Sequence, residues 1–132
     1  MNQNFFYGQN VAKIGTRMVE TAQKFGEANQ CKLESVKDVE ELKQTYTSLN
    51  GEFKKQRDDL KAIVAPSLVK NFHNDMVNGY SDYVKGTEIM ISALDTENVC
   101  INEEVYKKGQ MLQSAASSKI NESANKIAKV IV

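Results

Sequence analysis

Tryptophan, proline and histidine are almost missing from this sequence of 132 residues, which holds no Trp, one Pro and one His. A sheet with many turns does not fit this composition, whereas the abundant Lys, Glu, Gln, Asn and Ala suit helices. No Glu-x-x-His pair is present, and no Ser or Cys context suggests a nucleophile for His73 to activate. The sequence therefore predicts an all-α protein with no catalytic residue, no metal site and no cofactor.

A net charge is also lacking, because 17 basic side chains balance 17 acidic ones. Without a long-range field of one sign, attraction to nucleic acid or to anionic lipid is disfavoured, and no nucleic-acid partner is predicted. The longest uncharged apolar runs, such as residues 89–94, fall far short of the roughly 20 residues that cross a bilayer. The sequence therefore predicts no transmembrane segment.

Apolar residues recur every three or four positions along most of the chain, as in helices with one buried face. The length fits one domain over residues 1–132, large enough for a real core. Long helices joined by short connections pack as antiparallel neighbours, which predicts an up-down-up-down four-helix bundle. The predicted helices lie near residues 4–27, 35–64, 66–94 and 102–130.

Several residues predict local features of these helices. Ser35 and Asn102 each precede a helical pattern and are the predicted N-caps of the second and fourth helices. The second helix carries a seven-residue apolar repeat in which Gln56 is the only polar break. Gly79 and Gly86, seven positions apart in the third helix, predict a close approach by another backbone.

Pro66 lies at the midpoint of the chain and separates two possible folds. If it turns the chain, the helices form the compact bundle described above. If it only kinks the chain, the second and third helices form one long rod that must dimerise. The turn is the simpler interpretation.

Cys31 and Cys100 are the only cysteines, and they lie in the first and third connections. An up-down-up-down bundle places those two connections at the same end, so the sequence predicts a disulfide between them. Such a bridge closes a loop of about 69 residues, worth roughly 4 kcal/mol in the chain-entropy description. It implies an oxidising, extracytoplasmic compartment, and the alternative is two unrelated thiols in a cytoplasmic protein.

Tyr80, Tyr83 and His73 form the first candidate site. Tyr80 and Tyr83 belong to the predicted core face of the third helix, and His73 lies in its N-terminal turn. Together they could line a cavity between helices for a small ligand or a metal. Aromatic residues at helical spacing are more often ordinary core, so both interpretations stay open.

Phe5, Phe6 and Tyr7 form the second candidate site. Three consecutive aromatic residues cannot all face the bundle, so some aromatic surface is expected to be exposed. It is either a contact patch or the remnant of a linker to a removed anchor.

The stretch Pro66-Ser-Leu-Val-Lys-Asn-Phe-His73 and its continuation from Asp75 to Glu88 resemble small exported or lipid-anchored helical-bundle proteins of Gram-positive bacteria, most of them uncharacterised. The likeness covers roughly residues 58–128. It implies an extracytoplasmic bundle and brings no active site with it. The signal and the lipid-attachment cysteine of such proteins are missing here, so the resemblance implies export without assigning a lipid anchor.

A second likeness is limited to Leu49-Asn50-Gly51, which resembles the central turn of small helical substrates of specialised Gram-positive secretion systems. The heptad passes through this tripeptide without interruption, which favours helix over turn.

These observations predict a non-enzymatic, extracytoplasmic helical bundle, monomeric or weakly homo-oligomeric, that acts through contacts with a protein partner or the cell envelope. One alternative is a ligand-binding or metal-binding bundle, a sensor or enzyme, with its site near Tyr80, Tyr83 and His73. The other is a small substrate of a specialised secretion system.

Overall fold

The computed structural model describes residues 3–30 and 32–131, and these residues form an all-α bundle with four helices. The predicted fold class is confirmed, and every predicted helix boundary lies within four residues of the observed one. A 3-10 turn, Ser67–Val69, precedes the third helix, and a two-stranded antiparallel hairpin joins the third helix to the fourth. The elements are α1 (Gln3–Ala28), α2 (Val36–Ala62), α3 (Lys70–Ser92), β1 (Leu94–Asp95), β2 (Cys100–Ile101) and α4 (Glu103–Ile131).

Each helix packs against the next one along the chain, and α4 returns to lie beside α1. Between α1 and α2 the rings of Phe25 and Tyr46 stack with centroids 4.0 Å apart. Between α2 and α3 the ring of Phe53 meets that of Tyr83 edge to face at 4.8 Å. Pro66 therefore turns the chain, and the alternative of a single long rod is wrong.

Both predicted N-caps are formed. Ser35 Oγ accepts a hydrogen bond from the Asp38 N–H at 3.2 Å, and Asp38 Oδ2 accepts one from the Ser35 N–H at 3.2 Å. This reciprocal pair is a capping box, and it satisfies two backbone donors at the start of α2. At the start of α4, Asn102 Oδ1 accepts from the Val105 N–H at 3.2 Å.

The heptad stripe of α2 is buried, as the sequence predicts. Its polar member, Gln56, is 2% exposed, and its Nε2 donates to Thr21 Oγ1 of α1 at 2.9 Å. Leu49-Asn50-Gly51 lies inside α2 and is helical throughout. The buried members are Val39, Leu42, Tyr46, Leu49, Phe53, Gln56 and Leu60.

Glycines bring α3 and α4 into backbone contact. A Cβ added to Gly86 would lie 2.8 Å from the Gly109 carbonyl oxygen, and one added to Gly109 would lie 2.6 Å from the Gly86 oxygen. A Cβ on Gly79 would lie 2.7 Å from Ile120 Cγ1. The predicted close approach at Gly79 and Gly86 is therefore present, and α4 is the backbone that approaches.

The third predicted helix, 66–94, is shorter at both ends in the structure. Pro66 is extended, with ψ 146°, and the chain passes through a 3-10 turn to Val69 at φ −115°, so α3 begins only at Lys70. After α3, Asp95 accepts hydrogen bonds from the backbone N–H groups of Glu97 and Asn98 and closes the hairpin turn. Strands of two residues are too short to show a period in the sequence, which is why the hairpin is not predicted.

Candidate functional site

One end of the bundle collects the start of α1, the end of α2, the 3-10 turn and the end of α4. The Tyr7 hydroxyl lies 2.7 Å from His73 Nδ1, and His73 Nε2 lies 3.0 Å from the Leu60 carbonyl oxygen. The 3-10 turn contacts α4, and a Cβ on Gly8 would lie 3.1 Å from Ile131 Cδ1. Residues from both termini and from the middle of the chain therefore meet at this end.

His73 serves as a structural link between three helices here. Because a carbonyl oxygen can only accept, Nε2 carries the proton that it donates to Leu60, and Nδ1 accepts from the Tyr7 O–H. Burial lowers the pKa of His73, partly offset by the bond to Leu60, and burial raises the pKa of Tyr7 to about 12. Both side chains are thus held neutral, and both ring nitrogens of His73 are already engaged.

The first candidate site is distributed over three separate depressions. His73 borders one of about 390 Å³ between α2 and α3, Tyr80 borders an apolar groove of about 470 Å³ between α1 and α4, and Tyr83 borders one of about 360 Å³ between α3 and α4. Burial raises the pKa of Tyr80 to about 12, with the Arg17 charge opposing it, and burial raises that of Tyr83. The three side chains do not share one of these depressions.

The depression beside His73 is polar. On α2 it is bordered by Arg57, Asp58 and Lys61, and Arg57 Nε donates to Asp58 Oδ1 at 3.1 Å. On α3 it is bordered by uncharged polar side chains, which are Asn74, Asn78 and Ser81. An ion pair and one further cation on α2 therefore face amide and hydroxyl groups on α3.

The second candidate site divides between the core and the surface. Tyr7 is buried, whereas Phe5 is 53% exposed and Phe6 is 48% exposed. The two exposed rings lie edge to face with centroids 5.9 Å apart. An exposed aromatic patch is therefore present, as the sequence predicts.

Other exposed hydrophobic side chains lie at the same end of the bundle as this patch. The described residues include eight exposed large hydrophobic side chains, and five of them lie at this one end of the bundle. Leu68 would widen the apolar face of a third helix that began at residue 66, but it is 75% exposed in the 3-10 turn. We call this surface the apolar end, and its members are Phe5, Phe6, Val64, Leu68 and Val130.

The sequence pattern does not identify three members of the apolar end, Val64, Leu68 and Val130, as candidate site residues. Leu68 and Val130 fall on the periodic stripes of their helices, and Val64 lies in the approach to Pro66. Nothing local distinguishes them from core residues, because their exposure depends on where the neighbouring helices end.

The predicted disulfide has one partner in the part of the chain that the structure describes. Cys100 is exposed in β2, and Cys31 lies outside the described residues, so the bridge stays a prediction. The Tyr106 hydroxyl donates to Asn29 Oδ1 at 2.7 Å. The end of α1 therefore adjoins the first turn of α4, next to the hairpin that carries Cys100.

Within residues 3–30 and 32–131, no three His, Cys, Asp or Glu side chains are grouped so that they could hold a metal ion. None of the helices in that part of the chain has both the length and the apolar character needed to cross a membrane. Comparison of the sequence and the fold with protein-family models, curated proteins and solved structures yields no match.

Proposed function

We propose that this protein is a non-enzymatic, extracytoplasmic helical bundle that acts by attaching to a protein partner or to the cell envelope through its apolar end. One observation carries the proposal: five exposed large hydrophobic side chains, contributed by separate parts of the chain, lie at one end of the bundle. Single exposed hydrophobic residues need no explanation, but several gathered at one end of a bundle are typical of an interaction site. The neutral, fully bonded state of His73 is consistent with a structural rather than a catalytic role.

The test is sedimentation of the purified protein with cell-envelope fragments of a Gram-positive bacterium. We expect the wild type to sediment with the fragments and Phe5→Ser/Leu68→Ser to remain in the supernatant. Met111→Ser is the matched control, because Met111 is 63% exposed on α4 away from the apolar end. Equal sedimentation of all three proteins, or of none, would rule out attachment through this surface, provided that circular dichroism shows each variant folded.

Export is part of the same proposal. The resemblance to exported bundles and the position of Cys100 at the end of the bundle where α1 finishes both support it. Mass spectrometry of the non-reduced protein from an oxidising compartment is expected to find the chain two hydrogens lighter than the reduced form. Two alkylatable thiols in that sample would contradict the Cys31–Cys100 bridge.

The polar depression beside His73 favours a second candidate, a small-ligand function. Arg57 and Lys61 together exceed the charge of Asp58 and leave one net positive charge there, which suits a small anion such as phosphate. Titration with inorganic phosphate, followed by NMR of the Asn74 and Asn78 side-chain amides, tests this candidate. Saturable shifts that disappear in Arg57→Gln/Lys61→Gln support it, and unchanged spectra exclude it.

A further inference from the structure

Positive charge predominates in the turns of the bundle nearest the apolar end, where the one carboxylate in the last turn of α2, Asp59, is paired with Arg17 at 3.0 Å. Residues 3–10, 60–72 and 126–131 contain four lysines and no Asp or Glu. All four lysines are exposed. Lys126 Nζ lies 3.2 Å from Glu122 Oε1, one turn farther from the end, but an exposed pair of this kind contributes little. The lysines are Lys61, Lys70, Lys126 and Lys129.

The opposite end of the bundle has the reverse charge. Residues 26–40 and 94–104, around the hairpin and the first connection, contain eight carboxylates and only two lysines. The formal net charge of zero therefore conceals a separation of charge along the bundle. The acidic side chains are Glu27, Glu34, Asp38, Glu40, Asp95, Glu97, Glu103 and Glu104.

We propose that the apolar end is a docking surface for an anionic lipid bilayer, an inference that rests on the proposed function and names its partner. The exposed side chains of Phe5, Phe6 and Leu68 enter the interface between headgroups and acyl chains. The surrounding lysines lie at the level of the lipid phosphates, with their alkyl stems along the apolar surface. A protein partner for this surface would need acidic groups around an apolar centre, whereas an anionic bilayer presents both features over any contact area.

The charge separation also sets the orientation of the bound protein. The acidic end is repelled by the same surface that attracts the lysines, so the bundle stands with its long axis away from the membrane. A helix of 29 residues such as α4 is about 44 Å long. The hairpin and Cys100 are therefore held roughly that far from the lipid.

The lack of tryptophan makes this orientation directly measurable. Leu68→Trp places a single fluorophore at the apolar end, and Val36→Trp places one at the opposite end, where Val36 is 45% exposed. With vesicles of phosphatidylglycerol and phosphatidylcholine, we expect the emission of Leu68→Trp to shift to the blue and that of Val36→Trp to stay unchanged. Equal shifts for both variants, or none for Leu68→Trp, would overturn the proposal.

The lysines are tested by flotation of the unlabelled protein with the same vesicles. Lys70→Gln/Lys129→Gln is expected to weaken partitioning roughly ten- to thirtyfold. Each basic residue near an anionic surface strengthens binding by a factor of about five, and this variant removes two. The matched control Lys43→Gln/Lys55→Gln removes two exposed lysines along the side of α2 and should leave partitioning close to that of wild type. Equal binding to vesicles of pure phosphatidylcholine would contradict the role of charge.

Different experimental results would contradict the lipid proposal and the proposed function. If the protein sediments with envelope fragments, loses that binding after the fragments are treated with protease, and ignores anionic vesicles, the partner is a protein and the lipid proposal is wrong. If it sediments with no envelope preparation, the proposed function itself is wrong.

Discussion

The Tyr7 hydroxyl of α1 donates a hydrogen bond of 2.7 Å to Nδ1 of His73 in α3, while Nε2 of the same ring donates to the Leu60 carbonyl of α2. Tyr7 is 3% exposed and His73 is 4% exposed. These two bonds join three helices directly behind the apolar end. Their loss would loosen the framework that carries Phe5, Phe6 and Leu68.

Tyr7→Phe is expected to lower the free energy of unfolding by about 1–3 kcal/mol, because it leaves the buried His73 Nδ1 without a donor. Urea denaturation followed by circular dichroism measures this change. Tyr83→Phe is the control, since the Tyr83 hydroxyl makes no hydrogen bond within residues 3–30 and 32–131. Similar losses for the two variants would show that the Tyr7–His73 bond adds nothing specific.

Stability should fall on mild acidification because of His73. Burial lowers its pKa in the folded protein below the ordinary value of 6.5, so the unfolded chain takes up a proton first as the pH falls. The free energy of unfolding is therefore expected to decrease below about pH 6.5, and the decrease continues down to the folded-state pKa. Urea denaturation from pH 7.5 to 5 measures the profile.

His73→Gln provides the comparison for that profile. Glutamine keeps a donor and an acceptor but does not titrate, and the carboxylates contribute equally to both proteins. The wild type should lose stability more steeply than His73→Gln between pH 7 and 5. Parallel profiles would mean that His73 is not held neutral by the fold.

Gly86→Ala should strongly destabilise the bundle. The new Cβ would lie 2.8 Å from the Gly109 carbonyl oxygen and 2.9 Å from the Gln113 backbone nitrogen, so α3 and α4 must move apart. We expect a loss of roughly 1–3 kcal/mol, as for other overpacked contacts. Gly51→Ala is the matched control, because Gly51 is exposed within α2 with no atom within 4 Å of the added Cβ. That change should stabilise by about 0.5–1 kcal/mol, and equal effects at the two positions would contradict the close contact of α3 with α4.

Gln56→Leu is expected to maintain or raise stability, by up to about 1 kcal/mol. Gln56 Oε1 is buried without a hydrogen-bond partner among the described residues, and removing it ends that desolvation cost. Thr21 does not lose its partner, because its hydroxyl donates to the Arg17 carbonyl at 2.9 Å. Thermal unfolding compares Gln56→Leu with Gln56→Glu, which buries a charge and should unfold at a lower temperature. A clearly lower melting temperature for Gln56→Leu would mean that the bond from Gln56 to Thr21 outweighs the unsatisfied oxygen.

Much of the fold could be predicted because its signals are local and repeated. Ser35 and Asn102 cap helices through side-chain bonds that span three residues, and the heptad of α2 repeats its apolar signal from Val39 to Leu60. The start of α3 is less predictable, since the 3-10 turn after Pro66 differs from an α-helix only in a few backbone angles. The hairpin at Leu94 and Ile101 depends on a single short pairing.

The candidate site was predictable only in part, for a different reason. Three adjacent aromatic residues must expose at least one ring, so the patch at Phe5 and Phe6 follows from helical geometry alone. Tyr80 and His73 both lie on the buried side of α3, but the helices beside them divide the nearby space into separate depressions. The spacing of residues along α3 gives no information about where the neighbouring helices end, so this division could not be predicted.

By itself the sequence determined the all-α class, the four helices and the exposed aromatic start, because each depends on contacts within a few residues. Only the tertiary structure decided that Val64, Leu68 and Val130 are exposed at the same end as Phe5 and Phe6, because exposure depends on how far the neighbouring helices cover each side chain. It also decided that a chain of zero net charge has a basic end and an acidic end. The net charge is a sum over residues and does not depend on where they lie. The electrostatic attraction that a membrane surface exerts does depend on where each charge lies.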